Sequence, residues 1–548
     1  MKPLPQTLPA AAREPAGAAP NNVADLDRWR VAAGPAEAGI VALHTPEGRD
    51  FPLGYAQLCF WFVYVALGDT ANSLSRLMID GAIDVRTMEK ALNHMLQRHE
   101  SLRASISDWN PLQRVLPFQP FDLAYLDGSA LDEAELGALV GAVSHKMVDT
   151  PFDLARPPLL RAQLVRTGAA SHVMLLCFPH IVADGGAVHL FEQQLMDTYR
   201  RLAQGDGRLP GRAQTLQIAD FVAWERQRNA MHGERALQFW RGQLRGHPYA
   251  RFPDALLERG ALRHHDCYAA FPDDSFEKLG ELARRHKATL QMCLIAVIGC
   301  AVHSVTAQAR FTLNSVLESR EENGTEGLMA ALLRVMPVPL SFGADASFAQ
   351  VLGEVRQRVL EAYEHKDCPW SVPVGVLAEQ RWRHSPRLYT GLIRAAGWLF
   401  ARLFRRARLY PRFLADFLFM EPFPPEAGWR ARLRARPARA ARGGIADPVI
   451  NVNMLQSVFK RDGGAGGGVH AEQLKDPTRL LLSEATSSNW EEDSINFYIV
   501  DTGRERPSIR MVCSNLNAHG IEQLLAAVQT ALRAASRAPH SALNHMDN

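Results

Sequence analysis

Residues 178–186 read Phe-Pro-His-Ile-Val-Ala-Asp-Gly-Gly and form the sharpest local pattern in the chain. The apolar run that leads into them, residues 173–178, predicts a buried strand. Apolar residues at helical spacing over 185–202 predict a helix directly afterwards. The strand would therefore deliver His180 to a tight loop, in which two glycines permit close approach of the backbone. Asp184 stands where it would cap the helix and pair with a cation.

An imidazole in this position suits acyl transfer. Transfer from a thioester to an amine or alcohol requires removal of a proton from the nucleophile, and a side chain with a pKa near 7 can accept it. The other interpretation is that His180 is a turn histidine and Asp184 only a helix cap. His-x-x-x-Asp-Gly is a loose pattern, because a chain with 19 histidines contains it by chance in roughly one case in fifteen. The loop alone does not decide between the two.

The composition is that of a large globular protein. Its 548 residues, 47% of them apolar, can form several domains or one pseudo-duplicated unit. A net charge of +3 gives the whole molecule no special attraction to nucleic acid. The seven cysteines lack C-x-x-C spacing, which argues against a disulfide framework or a zinc site. The chain shows no secretory signal and no run of 18 uncharged apolar residues, so a cytoplasmic location is expected.

Helical and strand patterns fall into two halves that divide near residue 246. The first half contains the predicted strand and helix around His180 and a helical pattern at 85–98. In the second half, strands are predicted at 311–316, 333–340, 495–500 and 508–513, and helices at 276–305, 348–363 and 521–535. Such a mixture predicts a two-lobed α/β protein with its substrate at the junction. The expected units are an Ala/Pro-rich disordered tail over 1–47, lobes over 48–225 and 226–540, and a tail over 541–548.

Six separate segments occur in a defined order, and six ordered matches identify a family much more specifically than a single match does. They are 51–57 with Trp61, 98–103, the His180 loop, 219–224 with Phe239 and Trp240, 335–340 and 365–370. In this order they resemble the motifs of the condensation domains of nonribosomal peptide synthetases. The wider family includes chloramphenicol acetyltransferase and stand-alone polyketide-associated acyltransferases. The likeness covers residues 48–385 and 445–537.

The resemblance implies a fold and a set of site residues. The fold would be α/β (α+β), with two chloramphenicol-acetyltransferase-like lobes in a V-shaped pseudo-dimer and an active-site tunnel between them. The reactive histidine of the family falls on His180, which would act as general base or position the nucleophile. Asp184 would be structural, held by a buried ion pair with Arg320. Gly185 would let the acyl chain or its pantetheine arm pass the loop.

The resemblance also implies the partners. No metal and no cofactor would be needed, because the acyl substrate is carried on phosphopantetheine or coenzyme A. The expected partners are an acyl or peptidyl carrier protein and a small-molecule amine or alcohol acceptor. The sequence contains no adenylation or carrier region. We therefore expect a free-standing acyltransferase that forms an ester or amide in secondary-metabolite or lipid biosynthesis.

Four positions depart from the usual motifs of the family. Pro179 replaces the first motif histidine, Cys59 an arginine, Gly54 a serine and Met336 a common asparagine. These changes argue against ordinary peptide elongation more than against acyl transfer. Pro179 and Cys59 also favour an alternative, a catalytically silent condensation-like module that binds a carrier protein and recruits partners. The joint presence of a histidine, an aspartate and an arginine that match the site favours the enzyme.

Residues 387–444 interrupt the likeness and are strongly basic. They contain thirteen arginines, no lysine and three acidic residues, a net charge of +10. Arginines and apolar residues separate on a helical wheel, which predicts a basic amphipathic helix. This insertion could pack on its own domain, lie on an anionic membrane surface, or bind an acidic carrier protein. Nucleic-acid binding is not expected, because no recognition module accompanies the charge.

Overall fold

A computed structural model describes residue 40 and residues 47–543 with gaps. The gaps are 69, 109–111, 210–215, 259–264, 273, 318–319, 321–323, 344, 369–448, 455–493, 501–506 and 514. The basic insertion at 387–444 therefore lies outside the described residues, as do nearly all of the predicted N-terminal tail and most of the C-terminal one. Pro369 and Trp370 of the last motif segment lie outside them as well.

The described residues contain nine α-helices, and those predicted at 85–98, 185–202, 348–363 and 521–535 begin and end close to the predicted positions. The nine helices are α1 (Tyr55–Leu67), α2 (Val85–Arg98), α3 (Glu133–Asp149), α4 (Gly185–Ala203), α5 (Ile218–Gln243), α6 (Ser275–Arg285), α7 (Leu290–Thr306), α8 (Phe348–Glu364) and α9 (Ala518–Arg537). Many starts are explained by a side chain that accepts a hydrogen bond from a backbone N–H of the first turn. These caps are Asp84, Asp132, Asp184, Thr289, Ser347 and Asn517. The predicted lobe boundary at 225/226 falls inside α5, which is continuous there.

The described strands form three sheets. They are β1 (Asp50–Pro52), β2 (Asn72–Asp80), β3 (Ala104–Ile106), β4 (Leu112–Val115), β5 (Ala124–Asp127), β6 (Arg161–Gly168), β7 (Ser171–Pro179), β8 (His265–Ala270), β9 (Arg310–Leu317), β10 (Arg334–Ser341), β11 (Val449–Met454), β12 (Ser494–Val500) and β13 (Ser508–Cys513). A small antiparallel sheet has the order β1-β4-β3. Of the other two sheets, one forms the N-terminal lobe and the other forms the C-terminal lobe.

The N-terminal lobe is built on a four-stranded sheet of order β2-β7-β6-β5. Strand β7 is central and pairs antiparallel with both neighbours, and Asn72 of β2 lies opposite Pro179 at its end. Every residue from His172 to Pro179 is buried. This position explains why residues 173–178 are an uninterrupted apolar run, since both faces of the strand are covered.

The C-terminal lobe is built on a six-stranded sheet of order β10-β9-β11-β12-β13-β8. Strand β11 is parallel to both neighbours, and the other pairs are antiparallel. Side chains such as Leu313, Ile450 and Phe497 share one apolar core with helices α6–α9. A separate apolar core fills the N-terminal lobe. The mixed helix-and-sheet fold expected from the sequence is confirmed.

Strand β11 is not predicted from the sequence, because asparagines disfavour strands. Within the sheet the amide of Asn451 is hydrogen-bonded to asparagines of both neighbouring strands. Asn451 Oδ1 accepts from Asn314 Nδ2 at 3.2 Å, and Asn451 Nδ2 donates to Asn496 Oδ1 at 2.8 Å. The hydrogen bonds between asparagines therefore compensate for the poor strand propensity of this segment.

Two smaller apolar clusters connect the lobes through α5. The start of α5 packs with Phe51, Val115 and residues of the β9–β10 connection such as Leu332. Its end, including Trp240, packs with Met336 of β10. Within the described residues no single helix is long and apolar enough to cross a bilayer. Helices α6 and α7 are long and apolar enough only when taken together, and the chain bends by 111° between them.

Candidate active site

His180 lies directly after β7, at the point where β2 begins. Its backbone N–H donates to the carbonyls of Thr70 and Ala71, each at 3.2 Å. Thr70 is itself fixed, because its hydroxyl donates to Asn72 Oδ1 at 2.6 Å and accepts from Phe152 N at 3.0 Å. Strand pairing and these side-chain hydrogen bonds therefore fix the histidine backbone at the end of the central strand β7.

The imidazole of His180 stacks on the ring of Phe60. The ring centroids are 4.3 Å apart and the planes differ by 10°. Nδ1 is shielded from solvent and has no hydrogen-bond partner among the described residues, although the residue as a whole is partly exposed. Burial lowers the pKa of His180 below its ordinary value, while the Asp184 carboxylate opposes this shift. The ring is thus held neutral, which is the state a base requires.

Asp184 is 2% exposed and its carboxylate accepts three hydrogen bonds. Oδ1 accepts from Ala187 N at 2.9 Å, which caps α4, and from Arg320 Nη2 at 2.6 Å. Oδ2 accepts from Leu332 N at 2.7 Å. Two of these hydrogen bonds hold the His180 loop to the β9–β10 connection, and the third caps α4.

Arg320 is the second half of this buried contact. Its side chain is 13% exposed, against 3% for the side chain of Asp184. The guanidinium also donates to the carbonyls of Leu328 at 2.7 Å and Ala330 at 2.8 Å. The planar donor fork thus binds a carboxylate and backbone oxygens together, which a lysine could not do in this geometry. The structure brings together the aspartate and arginine that the resemblance pairs.

Gly185 is the first residue of α4 and is exposed. The absence of a side chain beside the His180 loop is compatible with the passage of a substrate arm. That passage stays a prediction, because no ligand is present.

Gln57 also holds the loop, and sequence reasoning does not single it out beyond its motif segment. Its Nε2 donates to the carbonyl of Ile181 at 3.3 Å, and its Oε1 accepts from Gln113 Nε2 at 2.7 Å. Gln57 is 1% exposed. Helix α1 therefore contacts the histidine loop through this amide and through the ring of Phe60.

A second buried ion pair supports the start of α1. Glu225 on α5 accepts from Tyr55 N at 2.8 Å, and its other oxygen lies 3.4 Å from Arg334 Nη2 of β10. Burial raises the pKa of Glu225 and Arg334 opposes this shift. A Cβ on Gly54 would lie 3.3 Å from Glu225 Oε2, so the carboxylate approaches the helix start closely. Glu225 directly follows the fourth motif segment, which is the only sequence signal for it.

Two further motif positions, His99 and Met336, are buried. His99 is buried, its Nε2 lies 2.7 Å from Gln194 Oε1, and burial lowers its pKa to about 4. Met336 is 3% exposed and packs against the end of α5. Among the described residues no group of three or more His, Cys, Asp or Glu side chains could hold a metal ion.

Comparisons with known proteins identify the family of this chain. The family model "Condensation domain" matches residues 49–388. The chain belongs to the condensation-domain family. A linear gramicidin synthase polypeptide of Brevibacillus parabrevis is 31% identical over 61% of this chain, which spans only 4% of that protein. CymA of Salinispora arenicola (strain CNS-205), a probable non-canonical nonribosomal peptide synthetase, is 30% identical over 62% of this chain and 4% of its own length.

Solved structures show the same fold. The condensation domain of the monacolin K polyketide synthase MokA has a TM-score of 0.64 at 17% identity, covering 91% of this chain and 100% of that one. The SgcC5 protein from Streptomyces globisporus has a TM-score of 0.61 at 19% identity, covering 90% and 100%. The complex of the X-domain and OxyB from teicoplanin biosynthesis gives 0.62 at 18%, covering 93% and 98%. The expected chloramphenicol-acetyltransferase-like fold is thereby confirmed for this condensation domain.

Replacing Arg320 with Met should destabilise the protein by about 3–5 kcal/mol, because a buried carboxylate loses its cation. Urea unfolding followed by circular dichroism measures the loss. The matched control is Arg114→Met, which breaks an ion pair with Asp50 whose side chains are 49% and 38% exposed. That control should lose about 1 kcal/mol or less. Equal, small losses for the two variants would contradict the assigned role of the buried pair.

Proposed function

We propose that this condensation domain is a free-standing acyltransferase. It forms an ester or amide from an acyl thioester, carried on a carrier protein or coenzyme A, and an alcohol or amine. The observation that carries the proposal is the His180 imidazole, which is neutral, partly exposed and fixed in orientation at the end of β7. Such a group is the component that a bimolecular acyl transfer most needs from a protein.

The reaction balances with this chain's residues alone. His180 accepts the proton of the acceptor hydroxyl or amine as its oxygen or nitrogen attacks the thioester carbonyl. The new C–O or C–N bond forms and the C–S bond breaks, and the proton passes from the imidazolium to the departing thiolate. Asp184 takes no part in proton transfer, because three donors already occupy it. No step requires a metal or a further cofactor.

The identity of donor and acceptor classes rests on relatives. Several relatives are peptide synthetases, including the linear gramicidin synthase of Brevibacillus parabrevis, which supports a carrier-bound acyl donor. The SgcC5 structure contains (R)-(-)-1-(2-naphthyl)-1,2-ethanediol, which supports an alcohol as one candidate acceptor. The departures at Cys59 and Met336 also favour a dedicated ester- or amide-forming step over peptide elongation.

A second candidate function has one observation in its favour. The X-domain of teicoplanin biosynthesis, which shares the fold, was solved in complex with OxyB. By analogy, this chain would bind a carrier protein and recruit another protein without catalysis. A recruitment module has no need of a neutral imidazole that is shielded on one edge and partly exposed, so the geometry of His180 favours the enzyme.

His180→Ala should lower turnover of an acyl-carrier thioester with an amine or alcohol acceptor on the order of a hundredfold or more, since the base is lost. Release of the carrier thiol and mass spectrometry of the product measure the rate. The control is His189→Ala on α4, whose side chain is 38% exposed and nine residues further along. This control should retain full turnover. Equal activity of wild type and His180→Ala would refute the role as base.

The pH profile provides an independent check. A base works in its neutral form, and burial lowers the pKa of His180 from its ordinary value of 6.5. With an alcohol acceptor, which does not titrate in this range, kcat/KM should therefore persist as pH falls to 6.5 and decline only below it. A decline with its midpoint above pH 6.5 would show that the imidazolium is favoured at the site, contrary to the proposal.

The sequence of the basic insertion, residues 387–444, also suggests where in the cell the protein is located. We propose a cytoplasmic protein in peripheral contact with the inner membrane through residues 387–444. Full-length protein should then bind vesicles that contain anionic lipid, and high salt should weaken this binding. A variant that lacks residues 387–444 should not bind these vesicles. Neutral vesicles serve as control. Vesicle binding that survives the deletion would show that the insertion is not the membrane contact. If the deletion instead abolished only the binding of a carrier protein, the insertion would be the contact for that protein.

A further inference from the structure

Three described histidines stack in parallel on a phenylalanine, and His180 differs from the other two. His303 lies 4.3 Å from the ring of Phe342, and His365 lies 3.8 Å from Phe239. In both, Nδ1 is also hydrogen-bonded to a backbone carbonyl, at 2.8 Å for His303 and 2.9 Å for His365. A hydrogen bond therefore fixes each of these rings independently of its aromatic neighbour.

The Nδ1 atom of His180 has no such partner among the described residues, and it is shielded from solvent. The backbone of His180 and the Asp184 carboxylate both oppose the lowering of its pKa by burial. The proposed function requires the lone pair on Nε2, so the neutral ring carries its proton on Nδ1. The parallel stack with Phe60 at 4.3 Å is then what defines the plane of the imidazole.

Phe60 can hold this plane only if α1 is itself fixed. Glu225 accepts from Tyr55 N at the start of the helix and lies against Arg334 of the other lobe. Gln57, one turn before Phe60, donates to the carbonyl of Ile181. The aromatic ring is 7% exposed, so it has little space to move. Its helix is therefore bonded both to the loop that carries His180 and to the neighbouring lobe.

We infer that Phe60 is a positioning residue for acyl transfer: its ring fixes the imidazole plane and thereby directs Nε2 of His180 toward the acceptor. This inference rests on the proposed function, in which Nε2 accepts the proton. The stack prevents rotation about the bond to the ring, because the imidazole would have to pass edge-on through Phe60. The shielded edge then keeps Nδ1 inward and Nε2 outward.

The test compares Phe60→Leu, which keeps an apolar side chain but removes the ring, with Phe60→Tyr, which keeps the ring. Nitrogen-15 NMR of histidine-labelled protein reports the tautomer, and His180 is assigned by the signal missing in His180→Ala. Wild type and Phe60→Tyr should show a single neutral tautomer protonated at Nδ1. Phe60→Leu should show a mixture, and its kcat should fall about ten- to a hundredfold with KM changed less than about twofold.

Phe342→Leu is the matched control, because Phe342 has the same exposure of 7% and the same stacking distance of 4.3 Å. It should lose stability as Phe60→Leu does, while His180 and kcat stay unchanged. Retention of the single tautomer and of kcat in Phe60→Leu would overturn the inference, as would equal effects in Phe342→Leu. If wild type turned over no thioester, the proposed function would fail, and the tautomer signals would still decide whether Phe60 fixes the ring.

Discussion

The buried contact between Asp184 and Arg320 is the interaction on which the rest of the site depends. It joins the loop after β7 to the β9–β10 connection, which belongs in sequence to the C-terminal lobe. Side chains of that connection, Met329 and Ala331, lie in the apolar core of the N-terminal lobe. Apolar packing therefore brings the two segments together, and the charge pair specifies their register. A buried pair of this kind is weak evidence for stability in itself, but removal of one partner is costly.

A second set of contacts connects α5 to the His180 loop through α1. Glu225 of α5 is bonded to the start of α1 and paired with Arg334. Helix α1 in turn contributes the Gln57 amide and the Phe60 ring to the histidine loop. Both sets of contacts start in the segment that leads into β10, since Leu332 and Arg334 are two residues apart. The base is therefore positioned by contacts from both lobes, as a site at their junction requires.

Sequence reasoning predicts the elements around His180 well, for a physical reason. Strand β7 is covered on both faces, so it is uniformly apolar, and α4 begins at a capping aspartate. Both are local signals that one segment of sequence contains. The contact between Asp184 and Arg320, by contrast, spans 136 positions and is expected only from the resemblance to known motifs. Periodicity does not specify which distant cation meets a given carboxylate.

The features that cannot be predicted from the sequence are those in which a hydrogen-bond or stacking partner comes from a distant part of the chain. Helix α1 starts at Gly54, which has no capping side chain, and a carboxylate 170 positions away binds its first N–H instead. Phe60 reads as one apolar residue in an apolar helix, and nothing in its neighbourhood indicates that its ring faces an imidazole. Strand β11 is missed because the amide of Asn451 finds its partners, Asn314 and Asn496, on neighbouring strands.

The central claim is that His180 Nε2 faces the place where acceptor and thioester meet. The most direct measurement is a crystal structure of the protein with a non-hydrolysable acyl-pantetheine analogue and an acceptor alcohol or amine. We expect the acceptor oxygen or nitrogen to lie about 2.6–3.2 Å from Nε2, beside the acyl carbonyl. An imidazole separated from both ligands by protein, or ligands bound away from the loop after β7, would contradict it.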